Sequence, residues 1–306
     1  MDHGSYNCLV VLGATATGKT ALACRLAGHL RGEIISADSR QVYRGLDLGT
    51  GKDLNEYTLH QQKIPYHLIN VADPASQFYL HDFTAALLEA FTQISQRGNL
   101  PIICGGTGLY LDALRTSYEL TAVPENHELR ERLAGLTSEE LLEQLDTFPV
   151  ELTAHVDRHS QKRLIRGIET ALYRKTNPLL KTAPLPYRPF YIGINSTAQQ
   201  RSERIRQRLD ERINMGLTDE VKNLLEQGLG AERLENLGLE YKFVTWYLQG
   251  KFSFDEMRGQ LATAIIQYSK RQMTWFRRME KQGVNIHWFD FPIDENQVMN
   301  LVKHHI

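Results

Sequence analysis

One segment constrains this chain more than any other: Gly13-Ala14-Thr15-Ala16-Thr17-Gly18-Lys19-Thr20, which fits G-x-x-x-x-G-K-[ST] at every position. Its flanks narrow the reading further. YNCLVVL (6–12) is nearly continuous and apolar, as a strand buried on both faces is. KTALACRLAGHL, which opens at the lysine, has apolar residues at helical spacing. A strand, a glycine turn and a helix in that order make a phosphate-binding loop. The glycines let backbone N–H groups curl round an anion, the helix N-terminus adds its dipole, and Lys19 brings a point charge. Thr20 is placed to hold Mg²⁺. The loop selects a diphosphate or triphosphate tail and is silent about the group attached to it.

Further strand candidates are EIISAD (33–38), PIICGG (101–106), PFYIGIN (189–195) and VNIHWFDF (284–291). HDFTAALLEAFTQISQRG (81–98) reads as an amphipathic helix closed by Gly98. Alternating strands and helices predict an α/β fold: a P-loop NTPase-like core of parallel strands flanked by helices, with ligands at the carboxyl ends of the strands. The stretch between Tyr110 and Phe190 has no good strand run. Residues 133–151 hold five acidic residues and no Lys or Arg, whereas 158–175 hold six basic residues against Glu169 alone. Pro184, Pro186 and Pro189 suit a stiff return to the sheet. The expected division is 6–114 with 186–306 as the core and its C-terminal helices, and 115–185 as a helical insertion.

Lys plus Arg number 35 against 36 Asp plus Glu, which excludes a wholly basic nucleic-acid coat and a disordered acidic chain but leaves room for a local basic patch. Cys8, Cys24 and Cys104 suit neither a zinc site nor a disulfide framework, so buried thiols are expected. Residues 1–6 carry no charged-then-apolar signal, and no apolar run approaches eighteen residues. The expectation is a soluble, cytoplasmic protein of a reducing compartment.

Asp38 closes the second strand candidate and should sit close to the phosphate loop, because strand ends in a parallel sheet lie side by side. A carboxylate beside a polyphosphate must hold Mg²⁺, meet a cation or take a proton from a nucleophile; the plain alternative is a helix cap. Arg40 and Gln41 add hydrogen-bonding capacity with no evident structural use. Arg201, Arg204, Arg208 and Arg212 recur at helical spacing beside Ile205, Leu209 and Ile213. The alternative for that stripe is a solvated face neutralised by Glu203, Asp210 and Glu211. Along 268–278, Arg271, Trp275 and Arg278 share a face, with Trp275 expected to pack in the core rather than to stack on a base.

GATATGKT, ISADSRQVYRGLDLGTGK (35–52) and GGTGLYL (105–111), in that order and spacing, resemble the tRNA dimethylallyltransferases, also called tRNA isopentenyltransferases. KRLIRGIE (162–169), RIRQRLDERINMGLTDEV (204–221) and YSKRQMTWFRR (268–278) extend the resemblance to most of the chain. It implies transfer of a dimethylallyl group from dimethylallyl diphosphate to the exocyclic amine of the adenosine beside the anticodon, with Mg²⁺ as cofactor and the tRNA anticodon stem-loop as partner. It implies that Gly13 to Thr20 hold the prenyl diphosphate, that Lys19 and Arg208 meet it, and that Thr107 touches the reacting centre. Asp38 would accept the amine proton. Asp38, Ser39, Arg40, Gln41, Thr107, Arg130, Lys162, Arg163, Leu164, Ile165, Arg166 and Arg271 would contact the tRNA, and the enzyme would work as a monomer with no membrane. The chain departs from the family's common pattern in two places. Arg158-His159-Ser160-Gln161-Lys162-Arg163 replaces Asn-Asp followed by Gln-Arg, and Leu239-Glu240 stands where many members have the tyrosine of a Gly-Tyr pair.

Two rivals share the loop. A prenyltransferase acting on a free nucleotide would need no insertion, and a small-molecule kinase would turn over ATP. A non-catalytic RNA-binding module would leave the complete phosphate loop unexplained.

Overall fold

Six strands pair in parallel in the order β5-β2-β6-β1-β7-β8, from β1 (Cys8–Gly13), β2 (Gly32–Ser36), β5 (Tyr66–His67), β6 (Leu100–Gly105), β7 (Pro189–Asn195) and β8 (Ile286–Asp290). These belong to a computed structural model that describes residues 6–116, 123–154, 156–177 and 184–306. The fold is the α/β arrangement expected from the sequence, and each of the longer strand candidates forms. Every residue of β1 is buried. Leu9 and Val11 join Ile102 and Cys104 of β6 and Phe190, Ile192 and Ile194 of β7 in a core with Leu22, Ala23 and Leu26 of α1 (Lys19–Leu30) and Val298 and Val302 of α13 (Glu295–Lys303). Val10, Leu12, Ile35 and Ile103 alternate with them and are equally buried, as a sheet covered on both faces requires. The helix α2 (Leu80–Gln96) packs on β2 and β6 and ends before Gly98, whose φ of 71° marks the reversal. All three cysteines are free and buried, and burial pushes Cys8 and Cys104 up to about 12.

A short antiparallel hairpin of β3 (Thr58–Leu59) and β4 (Gln62–Lys63), and the two-residue edge strand β5, had no counterpart in the sequence reading. Five further helices build a second core against Val42, Tyr43 and Leu46: α8 (Ala198–Asn214), α9 (Leu217–Glu226), α10 (Ala231–Leu237), α11 (Leu239–Leu248) and α12 (Phe254–Lys281). Capping boxes start α8 (Thr197 with Gln200) and α12 (Ser253 with Glu256), satisfying N–H groups that a helix start leaves unpaired. Ile265, Met273 and Phe276 of α12 are buried.

By its internal contacts the chain divides into one unit of Met1–Arg115 with Pro186–Ile306 and another of Thr116–Leu185. The second has its own core, in which Leu129 and Leu133 of α4 (His127–Ala134) and Leu141 and Leu145 of α5 (Ser138–Asp146) meet Leu164 and Ile168 of α7 (Gln161–Thr176). A one-turn helix, α6 (Val150–Thr153), precedes α7, and α3 (Gly108–Asp112) belongs to the first unit. Among the described residues no helix is long and apolar enough to cross a membrane.

Candidate active site

The carboxyl ends of three neighbouring strands supply the site. Because β6 lies between β1 and β2, the turn Gly105-Gly106-Thr107 stands between the phosphate loop and Asp38, and Asp38 lines the same cavity as Thr15, Lys19 and Thr20, close to the loop as expected. That turn must be glycine. A Cβ on Gly105 would fall 2.2 Å from the Ala37 carbonyl oxygen, and one on Gly106 would fall 2.4 Å from the Gln272 side chain. Gln272 of α12 then locks the arrangement: its oxygen accepts from the Thr15 N–H at 2.8 Å, and its nitrogen donates to the Gly106 carbonyl at 2.9 Å.

A cavity of about 440 Å³ opens over these ends, lined by Thr15, Lys19, Thr20, Asp38 and Arg208 among others. In the loop, Ala16 and Gly18 adopt positive φ, and Thr17 Oγ1 donates to the Ala14 carbonyl at 2.8 Å. Ala14, Ala16 and Thr17 are buried, so the backbone and the Lys19 and Thr20 side chains face the cavity. Burial, aided by the Arg208 guanidinium, pushes the Lys19 ammonium below its ordinary value, while Asp38 and Glu56 pull the other way. Burial likewise holds the Glu56 carboxyl above its ordinary value.

Asp38 does both things weighed for it. Its Oδ1 accepts from the Arg40 N–H at 2.8 Å and the Gln41 N–H at 3.4 Å, a local cap, yet the side chain lines the cavity. Thr107 Oγ1 accepts from the Ser39 N–H at 3.1 Å and also bonds Tyr268, whose phenol burial pushes up to about 12. Arg40 is exposed at the cavity wall. Gln41 corrects the sequence reading. Its side chain is buried, with its oxygen accepting from Ser36 Oγ at 2.9 Å and its nitrogen donating to the Gly51 carbonyl at 3.0 Å. The amide therefore ties β2 to the loop at 51, a structural use the sequence did not show, while the residue also lines the cavity.

The arginines of α8 are not a solvated face. Arg201 bonds the Ser196 carbonyl, Arg204 donates to the Ala16 carbonyl at 2.7 Å and lies over the Phe291 ring at 4.2 Å, and Arg208 pairs with Asp53. The acidic residues proposed to neutralise them are engaged elsewhere. Asp210 pairs with Arg258 at 2.6 Å, while Glu203 and Glu211 accept from Gln199 and Gln207. Arg212 is only 9% exposed and lines the cavity. Its ion-pair partners, Asp53 at 3.7 Å and Glu240 at 3.8 Å, lie beyond hydrogen-bond reach, and its Nε has no partner. Such an unmade buried donor costs about 1–3 kcal/mol.

The wall opposite α8 is a tightly held loop. One carboxylate, Glu220, accepts from the N–H groups of Asp47, Leu48 and Gly49 at 3.0, 2.7 and 3.1 Å, and from Tyr241 Oη at 2.7 Å. Buried Lys52 donates to the Tyr43 carbonyl at 2.7 Å, to Asp47 at 2.6 Å and to Asn70. Gly51 has φ 62°, and a Cβ there would lie 1.7 Å from the Arg212 guanidinium, so the loop backbone and that side chain are in direct contact. Asp53, Arg212, Glu240, Tyr268 and Gln272 were not expected as site residues. Arg212 had a signal in the four-residue arginine spacing, and Tyr268 and Gln272 lie within the YSKRQMTWFRR segment, whereas Asp53 and Glu240 sit on loop and helix sequence with no such signal.

Trp275 is half-buried against Gly108, with Arg278 5.7 Å above its ring, and Arg271 is exposed beside Tyr268.

In the insertion the three expected arginines pair with carboxylates of the same unit. Arg130 grips Glu169 through two bonds of 3.0 and 2.8 Å and pairs with Glu125 at 2.8 Å. Arg166 also pairs with Glu169 and donates to the Val123 carbonyl at 2.7 Å. Arg163, far more exposed, pairs with Asp157. Arg158 meets the acidic stretch, at Asp146. Leu164 is fully buried in the unit's core and is a packing residue, not a contact, while Ile165 is half-buried and Lys162 exposed.

A family model described as IPP transferase matches residues 41–279. The tRNA dimethylallyltransferase 2 of Bacteroides fragilis is 45% identical over 99% of this chain and 98% of its own length. That of Treponema denticola is 50% identical over 92% of this chain and 95% of its own. Among solved structures, the full-length tRNA isopentenylpyrophosphate transferase of Bacillus halodurans superposes with a TM-score of 0.71 at 30% identity, covering 98% of this chain and 96% of that one. A eukaryotic dimethylallyltransferase, described as acting on tRNA, shares the fold with a TM-score of 0.77 at 23% identity over 94% and 74% of the two chains.

Proposed function

Since the chain belongs to the IPP transferase family, we propose that it transfers a dimethylallyl group from dimethylallyl diphosphate to the exocyclic amine of the adenosine 3′ to the anticodon in tRNA. One observation carries the residue-level reading: the phosphate loop, Arg208 and Asp38 line a single cavity. An aromatic amine is a weak nucleophile because its lone pair is shared with the ring. The barrier therefore falls by stabilising charge on the leaving group at the allylic carbon, which the loop N–H groups, Lys19 and Arg208 do. The Asp38 oxygen that is not capping accepts the amine proton as the new bond forms. Thr107 is held by Ser39 and Tyr268, both of which line the cavity.

The hydroxyl of Thr20 is a hard oxygen donor on the cavity and suits Mg²⁺, which keeps several waters and takes few protein ligands beside substrate phosphates. Bound there, Mg²⁺ supplies charge neutralisation to the leaving group. The adenosine leaves its stack to enter the cavity. Exposed Arg40 and Arg271 in this unit, and Lys162 and Arg163 in the insertion, meet the RNA backbone. On this reading the enzyme is a cytoplasmic monomer.

The test is to incubate the protein with dimethylallyl diphosphate, Mg²⁺ and unmodified bulk tRNA, then digest the RNA and analyse its nucleosides by mass spectrometry. Prenylated adenosine is expected. Its absence, or prenylation of free adenylate in preference to tRNA, would overturn the proposal.

A further inference from the structure

Arg212 lines the cavity, and the proposed chemistry gives it no role. It is nine-tenths buried, yet among the described residues it donates no hydrogen bond. Its two carboxylate neighbours stand 3.7 and 3.8 Å away, and the nearer, Asp53, is already engaged by Arg208. The guanidinium cannot retreat, because it lies on the Gly51 backbone with no room for even a Cβ between them. Gly51 is itself fixed through Gln41 and its neighbour Lys52. A smaller recess joins Arg212 to Thr15 and Ala16 of the phosphate loop, with Arg208 between. Two guanidinium groups thus converge on one aspartate beside an anion-binding loop, and one of them has a buried Nε without a partner and only long ion pairs at its two other nitrogens.

We propose that Arg212 is a second arginine for the leaving diphosphate, completing its hydrogen bonds only when that group is bound, with Glu240 holding it toward the cavity. The proposal rests on the prenyl-transfer reading and adds a residue to the same site. Its physical basis is the guanidinium's planar fork, which matches phosphate oxygens two at a time. A polyanion between Arg208 and Arg212 also relieves the repulsion between them. Lysine, a point charge on a flexible stem, restores part of that function, whereas methionine fills the volume and restores none.

The experiment measures binding of Mg²⁺–pyrophosphate by titration calorimetry, and thermal stability without ligand, for the intact protein and for Arg212→Met and Arg212→Lys. The expected result is a loss of ten-fold or more in pyrophosphate affinity for Arg212→Met, a smaller loss for Arg212→Lys, and an unliganded melting temperature for Arg212→Met equal to or above that of the parent. Unchanged pyrophosphate affinity with a lowered melting temperature would overturn the proposal and make Arg212 a structural ion-pair member. A parent protein that forms prenylated adenosine while Arg212→Met binds pyrophosphate normally sinks this inference alone. A parent that neither prenylates tRNA nor binds pyrophosphate sinks the functional reading with it.

Discussion

The arginines of α8 and those of α7 look alike in sequence, cationic residues at three- and four-residue spacing on amphipathic helices, yet the structure uses them differently. On α8, Arg204 is bonded to the phosphate loop, while Arg208 and Arg212 line the cavity with few bonds made. On α7, Arg166 joins Arg130 on a single carboxylate, Glu169, whose side chain is 2% exposed. The first set is electrostatically unfinished and the second is complete. Spacing alone cannot separate the two cases, because what decides them is where carboxylates from distant segments fall. Asp53 lies far from α8 in sequence and arrives through a loop that Glu220 and Lys52 hold in place.

If the α8 side of the molecule is where chemistry happens, its carboxylate partner should matter most to rate. Asp38→Ala is expected to lower turnover on the order of 10²–10⁴-fold, with tRNA affinity little changed when both are measured on the same preparation. Near-normal turnover would reduce Asp38 to the cap its Oδ1 already makes.

A second carboxylate sharpens the contrast through stability. Glu33 of β2 is buried and held by Arg97 at 2.9 and 2.7 Å, by Asn99 at 2.7 Å and by His67 at 2.8 Å, far from the cavity's chemistry. These bonds, the Arg97 pair foremost, bring its carboxyl from 4.5 to about 2. A depressed folded-state value stabilises the protein above the unfolded value, a contribution lost as pH falls from about 4.5 toward 2. The shift is worth about 3 kcal/mol. Glu33→Gln should therefore lower the melting temperature at pH 7 and flatten its fall between pH 5 and 3; an unchanged acid profile would contradict this.

Within the insertion the comparison divides. Arg166→Ala leaves buried Glu169 with one arginine fewer and should cost about 1–3 kcal/mol, read as a lower melting temperature or faster amide exchange in 123–177. Lys162 and Arg163 are exposed, and the Arg163–Asp157 pair is worth under about 1 kcal/mol. Replacing both by Ala should spare stability and lower the log–log salt slope of tRNA binding by about one to two. The reverse outcome, a stability loss with an unchanged slope, would make α7 structural throughout.

How much of this was legible beforehand follows from the range of the interactions. The phosphate loop is local: Gly13 to Thr20 carry the strand exit, the left-handed turns and the helix start in eight consecutive residues. The strands could be read because each is an apolar run. What could not be read needed the sheet order. Asp38 and the loop come together only around the Gly105–Gly106 turn, and Gln41, which looked available, is bonded to Gly51 through tertiary placement. The two-residue β5 has no periodicity to detect, and Arg212 is distinguishable from its exposed neighbours only once Gly51 is seen against it.

The central claim is that the phosphate loop holds a prenyl diphosphate as leaving group, not a nucleotide to be hydrolysed. Diphosphate release, followed continuously with dimethylallyl diphosphate, Mg²⁺ and unmodified tRNA in the absence of ATP, tests it most directly. The account predicts release that requires tRNA and matches prenylated adenosine one to one. Release that proceeds without tRNA, or turnover that demands ATP and yields a phosphorylated acceptor, would contradict it.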